Sequence, residues 1–199
     1  ECVLLNTPIY TGLVTLDRSK HHLQTYHELF KKYYGDNIRL LFVDTDSLSY
    51  QINTKNIYED LKIFHNVFDF SNYPKDHPLY DEKNKAVPGL LKDETAGKAI
   101  EEFVGLKPKM YSILLADENI KKGKGVSRTT LAKAITHGHY VDCLVKESIQ
   151  LDLMKSFKSS NHQINSTTLN KISLNPVDDK RYYLNAFESI PYGHYSIKK

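Results

Sequence analysis

The chain has 199 residues, 40% of them hydrophobic and 26% charged, with a formal net charge of +3. That length holds one domain or two small ones with ample apolar material for a core, and so mild a charge does not by itself identify a nucleic-acid binder. No apolar run approaches the roughly 18 residues needed to cross a bilayer, and Glu1-Cys2-Val3-Leu4-Leu5 lacks the basic-then-apolar order of a signal peptide, so no membrane partner is expected.

The first predicted element is a helix from about Ile9 to Tyr33, opened by Asn6-Thr7-Pro8, with Tyr10, Leu13, Val14, Leu16, Leu23, Tyr26, Leu29 and Phe30 at near-helical spacing. Gly35-Asp36-Asn37 stops it. Ile38 to Val43 has the length and flanks of a buried strand, Asp44-Thr45-Asp46-Ser47 forms a turn, and the alternating Leu48, Tyr50 and Ile52 return antiparallel. Tyr58, Leu61, Phe64, Val67 and Phe68 predict a second amphipathic helix from Ile57 to Phe68. Residues 69–97, with Pro74, Pro78, Pro88 and Gly89, read as irregular structure or small hairpins. Strands are expected at 100–106 and 110–115, helices at 129–135 and from His139 to Lys146. Beyond them Asn161 to Asn175 alternates only over short stretches, and the tail from Arg181 has no strong period.

Two side chains two apart on an extended chain leave by the same face, so Asp44 and Asp46 present two carboxylates to one point. Such a pair repels itself unless a cation or proton is shared. Mg²⁺ takes oxygen ligands of this kind and completes its shell with waters and substrate phosphates, which is the arrangement used in nucleotidyl transfer. The plain alternative is an acidic turn, because Asp, Thr and Ser all bond their own backbone in turns. An EF-hand calcium loop fails, since Ser49 stands where glycine is required and Lys55 where a glutamate is.

The longer string Phe42-Val43-Asp44-Thr45-Asp46-Ser47-Leu48 resembles motif C of family B DNA polymerases, with phenylalanine where the family commonly has tyrosine. Glu102 to Ser112 is similar to the family's Lys-x-Tyr segment, with Lys109 and Tyr111 in the defining places. Asp69-Phe70-Ser71-Asn72-Tyr73-Pro74-Lys75-Asp76-His77-Pro78-Leu79-Tyr80 resembles the protein-primed branch found in Maverick/Polinton-type elements and their viral relatives.

The resemblance implies an α+β fold: a partial palm, an antiparallel sheet with flanking helices, over 1–125, then a small thumb and C-terminal region over 126–199. It implies Asp46 as the principal Mg²⁺ ligand with Asp44 accessory, and the strand of Tyr111 in the same sheet. It implies Lys109 and Tyr111 on the primer strand, and the basic run described below adds Lys107, Lys124 and Arg128 as expected contacts with primer-template DNA. It further implies deoxynucleoside triphosphates as substrates of the complete enzyme and a terminal protein as a priming partner. Motif A, with the aspartate that shares the metals, and motif B are not found in the 199 residues, so this chain alone is expected to be inactive. The rival from another class is a non-catalytic nucleic-acid-binding remnant or domesticated module of a mobile element.

The charge distribution bears on both. From Lys107 to Lys133 there are seven basic residues, Lys107, Lys109, Lys121, Lys122, Lys124, Arg128 and Lys133, against Asp117 and Glu118. Scattered over unrelated faces they would describe an ordinary solvated surface; gathered, a phosphate contact. The only cysteines, Cys2 and Cys143, make no disulfide framework, so a reducing intracellular setting is expected, with nucleus, organelle and virus unseparated. His137-Gly138-His139 with Cys143 lacks a fourth zinc ligand, and Gly123-Lys124-Gly125 is too short for a phosphate-binding P-loop.

Overall fold

A computed structural model describes residues 7–178, 180–185 and 188–197; Glu1 to Leu5, Cys2 among them, and Asn6 of the predicted helix start lie outside the described residues. The fold is mixed α+β with small, mostly antiparallel sheets. Packing divides the chain into two compact units, 1–97 and 98–199. The sequence division at 125/126 follows motif content instead.

In the first unit, α1 (Ile9–Tyr34) runs through a stretch free of proline, with Lys31 and Lys32 in its last turn, where cations oppose the helix dipole's negative end. It stops at Gly35, whose φ of 58° suits glycine. Only Tyr26, Phe30 and Tyr34, each one turn apart, are buried; Ile9, Tyr10, Leu13, Val14 and Leu16 are exposed. The predicted apolar stripe thus has a core at its C-terminal end alone, where it meets Ile38 and Phe64.

β1 (Ile38–Asp44) pairs antiparallel with β2 (Ser47–Ile52), as the sequence indicated. The expectation of a buried strand is corrected. Leu40 and Val43 are exposed and only Ile38 is fully covered, because the core built on Tyr26, Phe30, Tyr34 and Phe64 takes in Ile38 with Leu48, Tyr50 and Ile52 and does not reach Leu40 or Val43.

α2 (Ile57–Ile63), capped by the Asn56 side chain accepting from Tyr58 N–H, is shorter than predicted. Phe68 is drawn from its helical place into a two-residue parallel pairing of β3 (Phe68–Asp69) with β4 (Leu91–Lys92). The intervening loop packs on Phe70, Tyr73 and Leu79.

The second unit is built on β5 (Ile100–Lys107), β6 (Met110–Leu115) and β7 (Asn119–Gly123), antiparallel in the order β5-β6-β7. α3 (Arg128–Lys133) is capped by Ser127, and α4 (His137–Val145) begins with a reciprocal Thr136–His139 capping box. Val104, Met110, Ile135, Tyr140, Cys143 and Leu174 form its core. A long two-stranded ribbon follows, β8 (Gln150–Ser160) with β9 (Gln163–Leu174), turned through Asn161 and His162 at φ 51° and 60°. A short pair, β10 (Arg181–Tyr183) with β11 (Ser189–Pro191), lies near the end.

The strand of Tyr111 was expected in the same sheet as the Asp44–Asp46 hairpin, and this expectation is corrected too. Tyr111 lies on β6, in the middle of the three-stranded sheet β5-β6-β7, whereas β1 and β2 form a separate sheet of two.

Candidate functional site

Asp44 pairs with Ser47, leaving Thr45 and Asp46 as the two turn residues. The turn is tight: Asp46 N–H donates to Asp44 O at 2.7 Å, and Thr45 has φ 59°. A left-handed conformation is rare for a β-branched residue and costs on the order of 1–3 kcal/mol, which the surrounding pairing must hold. Ser47 Oγ donates to Asp44 O at 3.2 Å and Thr45 Oγ1 to Asp44 Oδ1 at 3.3 Å. Asp46 is exposed and Asp44 half-buried. The hairpin therefore holds two hard oxygen donors at its tip. No cluster of three or more His, Cys, Asp or Glu suited to a metal ion occurs among the described residues.

The strain gives a direct test of the turn. Thr45→Gly is expected to stabilise the chain by about 0.5–1 kcal/mol, since relief of the left-handed strain exceeds glycine's extra unfolded-state entropy. The readout is a higher urea midpoint with an unchanged slope. A lower midpoint would mean that the turn is not strained at Thr45.

Lys109 repeats the pattern, with φ 60° after Pro108 in the β5–β6 turn. Lys107 ends β5, and Lys124 N–H donates to Lys109 O at 3.0 Å, which ties the β5–β6 turn to the segment after β7. Lys107, Lys109 and Lys124 thus meet at one end of the three-stranded sheet, and Arg128 opens the helix that follows. Lys121 is diverted, its ammonium donating to Ile135 O. Lys109, Lys124 and Arg128 are exposed, whereas Tyr111 is only 8% exposed, its ring tilted against Phe103 at 6.2 Å. Its flat face is packed away from solvent.

The other constellations dissolve on inspection of their partners. His137 Nδ1 is 2.8 Å from Ser112 Oγ, His139 accepts from Thr136 N–H as a cap, and Cys143 donates to Ser148 O, so the three do not converge on an ion. Burial also pushes the Cys143 thiol up, away from thiolate chemistry. Ser112, His137 and Glu102 follow one another in the order of a hydrolase triad, with His137 Nε2 at 3.4 Å from Glu102. Ser112 is wholly buried and donates to Asn119, so no substrate carbonyl can reach it. An open hollow of about 470 Å³, lined by Tyr33, Asn37, Asn53 and Lys55 among others, sits at the end of the β1–β2 hairpin opposite the Asp44 turn.

Sequence reasoning missed two features here. The strain at Thr45 and Lys109 has no signal in residue type, because neither is Gly, Asn or Asp. β7, which completes the basic end, was hidden by its composition, Asn-Ile-Lys-Lys-Gly, with a single apolar side chain. No family model, curated protein or solved structure matches the chain. Among the described residues no helix is long and apolar enough to cross a membrane.

Proposed function

We propose that the chain supplies the C-terminal palm and thumb portion of a family B DNA-directed DNA polymerase of the protein-primed, mobile-element type. The observation that supports the reading best is the Asp44-Thr45-Asp46-Ser47 turn: two carboxylates at the tip of an antiparallel hairpin, on backbone held in a strained conformation. In this reading Asp46 is the principal Mg²⁺ ligand, Asp44 the accessory one, and a further carboxylate comes from outside the described residues. The metal's contribution is charge stabilisation of the attacking and leaving oxygens. Lys107, Lys109, Lys124 and Arg128 contact primer-template phosphates. Tyr111, being buried, is a positioning residue that holds the strand leading from the Lys109 turn. Deoxynucleoside triphosphates, and a terminal protein in priming, are partners of the complete enzyme.

A second reading, a nucleic-acid-binding module without catalysis, is favoured by one observation. The basic end of the β5–β6–β7 sheet is assembled wholly within the second unit, so phosphate binding there does not require the carboxylate turn.

Anisotropy of a labelled primer-template over a salt series tests what both readings share. Three or four phosphate contacts give a log–log salt slope of about −3 to −4 without sequence preference, and replacing Lys109 and Lys124 together by alanine flattens it by about 1–2. Tyr111→Phe leaves the slope unchanged. An unchanged slope in the folded double variant would reject the basic end as a DNA contact. Primer extension tests the incomplete metal site, on which both readings agree. The 199-residue chain alone is expected to add no nucleotide with Mg²⁺. Mg²⁺-dependent extension by it would overturn both the non-catalytic reading and the need for a further carboxylate.

A further inference from the structure

The β1–β2 hairpin has two ends, and the polymerase reading uses the Asp44 turn alone. At the open end Asn53 N–H donates to Asn37 O at 2.8 Å, which carries the ladder one pair beyond Ile38 and Ile52. Two hollows of the first unit meet at this pair. The larger, about 470 Å³, is bordered by Tyr33 and Lys55, the smaller, about 360 Å³, by Arg39 and Gln51, and Asn37 and Asn53 line both. The larger hollow has the size of a small-molecule site.

Its lining combines three chemistries. Asn37 and Asn53 carry carboxamides, each with donors and an acceptor, and Lys55 carries an ammonium; among the described residues no hydrogen bond or ion pair engages these side chains. The acid of the hollow, Asp60, is already taken up, because Thr54 donates to its Oδ2 at 2.6 Å and the Tyr34 hydroxyl bonds to it as well. Tyr33 adds a fixed aromatic surface. Its ring stands edge-to-face with Tyr34 at 4.8 Å and with Phe64 at 5.0 Å, yet is 46% exposed. A ring to stack on, carboxamides to read an edge and a cation for an anion are together complementary to a nucleotide. Carboxamides favour adenine, whose edge sets a donor beside an acceptor, over guanine, whose N7 and O6 both accept and suit arginine.

We propose that the open end of the β1–β2 hairpin binds an adenine nucleotide, with its base against Tyr33, the base edge on the Asn37 and Asn53 carboxamides and its phosphate on Lys55. A free nucleotide and an unpaired nucleotide of a strand share this chemistry. In the strand the neighbouring phosphate enters the second hollow beside Arg39, where Asp36 offsets part of the attraction. The site lies at the other end of the hairpin from the carboxylate turn, so it is not where the polymerase reading places metal-bound triphosphates. The inference stands independently of that reading.

The test titrates adenosine 5′-monophosphate into the full 199-residue chain and follows backbone and side-chain amides by NMR. The signals of Asn37, Asn53 and Lys55 are expected to shift together and saturate, with a Kd on the order of 1 mM or below. Lys55→Ala weakens the monophosphate about fivefold and leaves adenosine unchanged. Lys55 is exposed and unpaired, so this variant keeps the parent's circular dichroism. Tyr33→Leu weakens both ligands about tenfold, whereas Tyr33→Phe keeps the ring and the binding. No shifts at about 10 mM nucleotide would overturn the proposal. So would uridine monophosphate binding as tightly as the adenine nucleotide, or inorganic phosphate moving the same signals equally. Two supporting outcomes separate the sources. An oligoadenylate that binds about tenfold tighter than the monophosphate, and loses that margin in Arg39→Ala, assigns the site to a strand. Equal affinities, with Arg39→Ala unchanged, assign it to the free nucleotide.

Discussion

Asp69→Ala is expected to destabilise the chain by about 3 kcal/mol, because this one carboxylate ties together both ends of the 69–97 loop. Asp69 is 5% exposed and accepts from Ser71 N–H at 2.9 Å, from Ala86 N–H at 3.1 Å and from the Lys92 ammonium at 3.2 Å. Alanine leaves two main-chain donors without their acceptor at roughly 1–1.5 kcal/mol each, and Lys92, half exposed, recovers most of its loss from water. Asn at this position keeps one acceptor oxygen and is expected to cost about half as much.

The same group gives a pH signature. Burial alone would raise the Asp69 carboxyl, yet the hydrogen bonds from Ser71, Ala86 and Lys92 hold it well below the usual carboxylate range. A depressed folded value means that the contribution is complete above the unfolded value near 4 and is lost as pH falls below it toward the folded one. The stability gap between the parent chain and Asp69→Ala should therefore be widest near neutral pH and narrow steadily below about pH 4. Urea titrations followed by tyrosine fluorescence, suited to a chain with 14 tyrosines and no tryptophan, measure it. A gap unchanged at pH 3 would place the stabilisation elsewhere.

Local periodicity carried much of the fold. α1, the β1–β2 hairpin, β5, β6 and the positions of α3 and α4 were legible because each has an unbroken pattern bounded by Gly, Pro or a capping residue. What periodicity does not encode is the partner. It showed that Leu40 and Val43 suit a strand, but not that the core of the first unit takes in Ile38 and leaves them exposed. It placed Phe68 on a helix face, while pairing with Leu91 across the sequence decided for a strand. β8 escaped because Lys155 interrupts the alternation of Leu151, Leu153 and Phe157 while Met154 falls on the polar side, and only the register against β9 makes sense of it. At the site, residue types revealed two carboxylates and a run of lysines, and the structure brought Lys107, Lys109 and Lys124 to one sheet end. The same reading gave Tyr111 a contact role from its chemistry, which its burial on the central strand does not favour.

Tyr140→Ala should be the most damaging single change in the second unit, at about 4 kcal/mol. Tyr140 is fully buried in the core with Val104, Met110, Ile135, Cys143 and Leu174, and α4 carries it against β5 and β6. Removing so large a ring leaves a cavity that packed neighbours fill only in part, which costs roughly 3–5 kcal/mol for aromatic-to-alanine changes. Its hydroxyl adds a second, separable contribution by donating to Lys122 O at 2.9 Å. Lys122 pairs with Tyr111 on β6, one residue before Gly123 and the turn that carries Lys124, so the ring anchors the strand from which the basic end projects. Tyr140→Phe keeps the volume and loses only that bond, with an expected cost of about 1 kcal/mol. The two variants therefore make different statements about DNA. Phenylalanine should keep the salt slope of primer-template binding, because the lysine turns stay in place, whereas alanine should weaken binding together with the melting transition. Thermal melts and the salt series on the same samples check this. A Tyr140→Ala chain that melts far below the parent yet keeps the full salt slope while partly unfolded would show that the lysines bind phosphate without the sheet that gathers them, and that local charge, not the assembled end, carries the affinity.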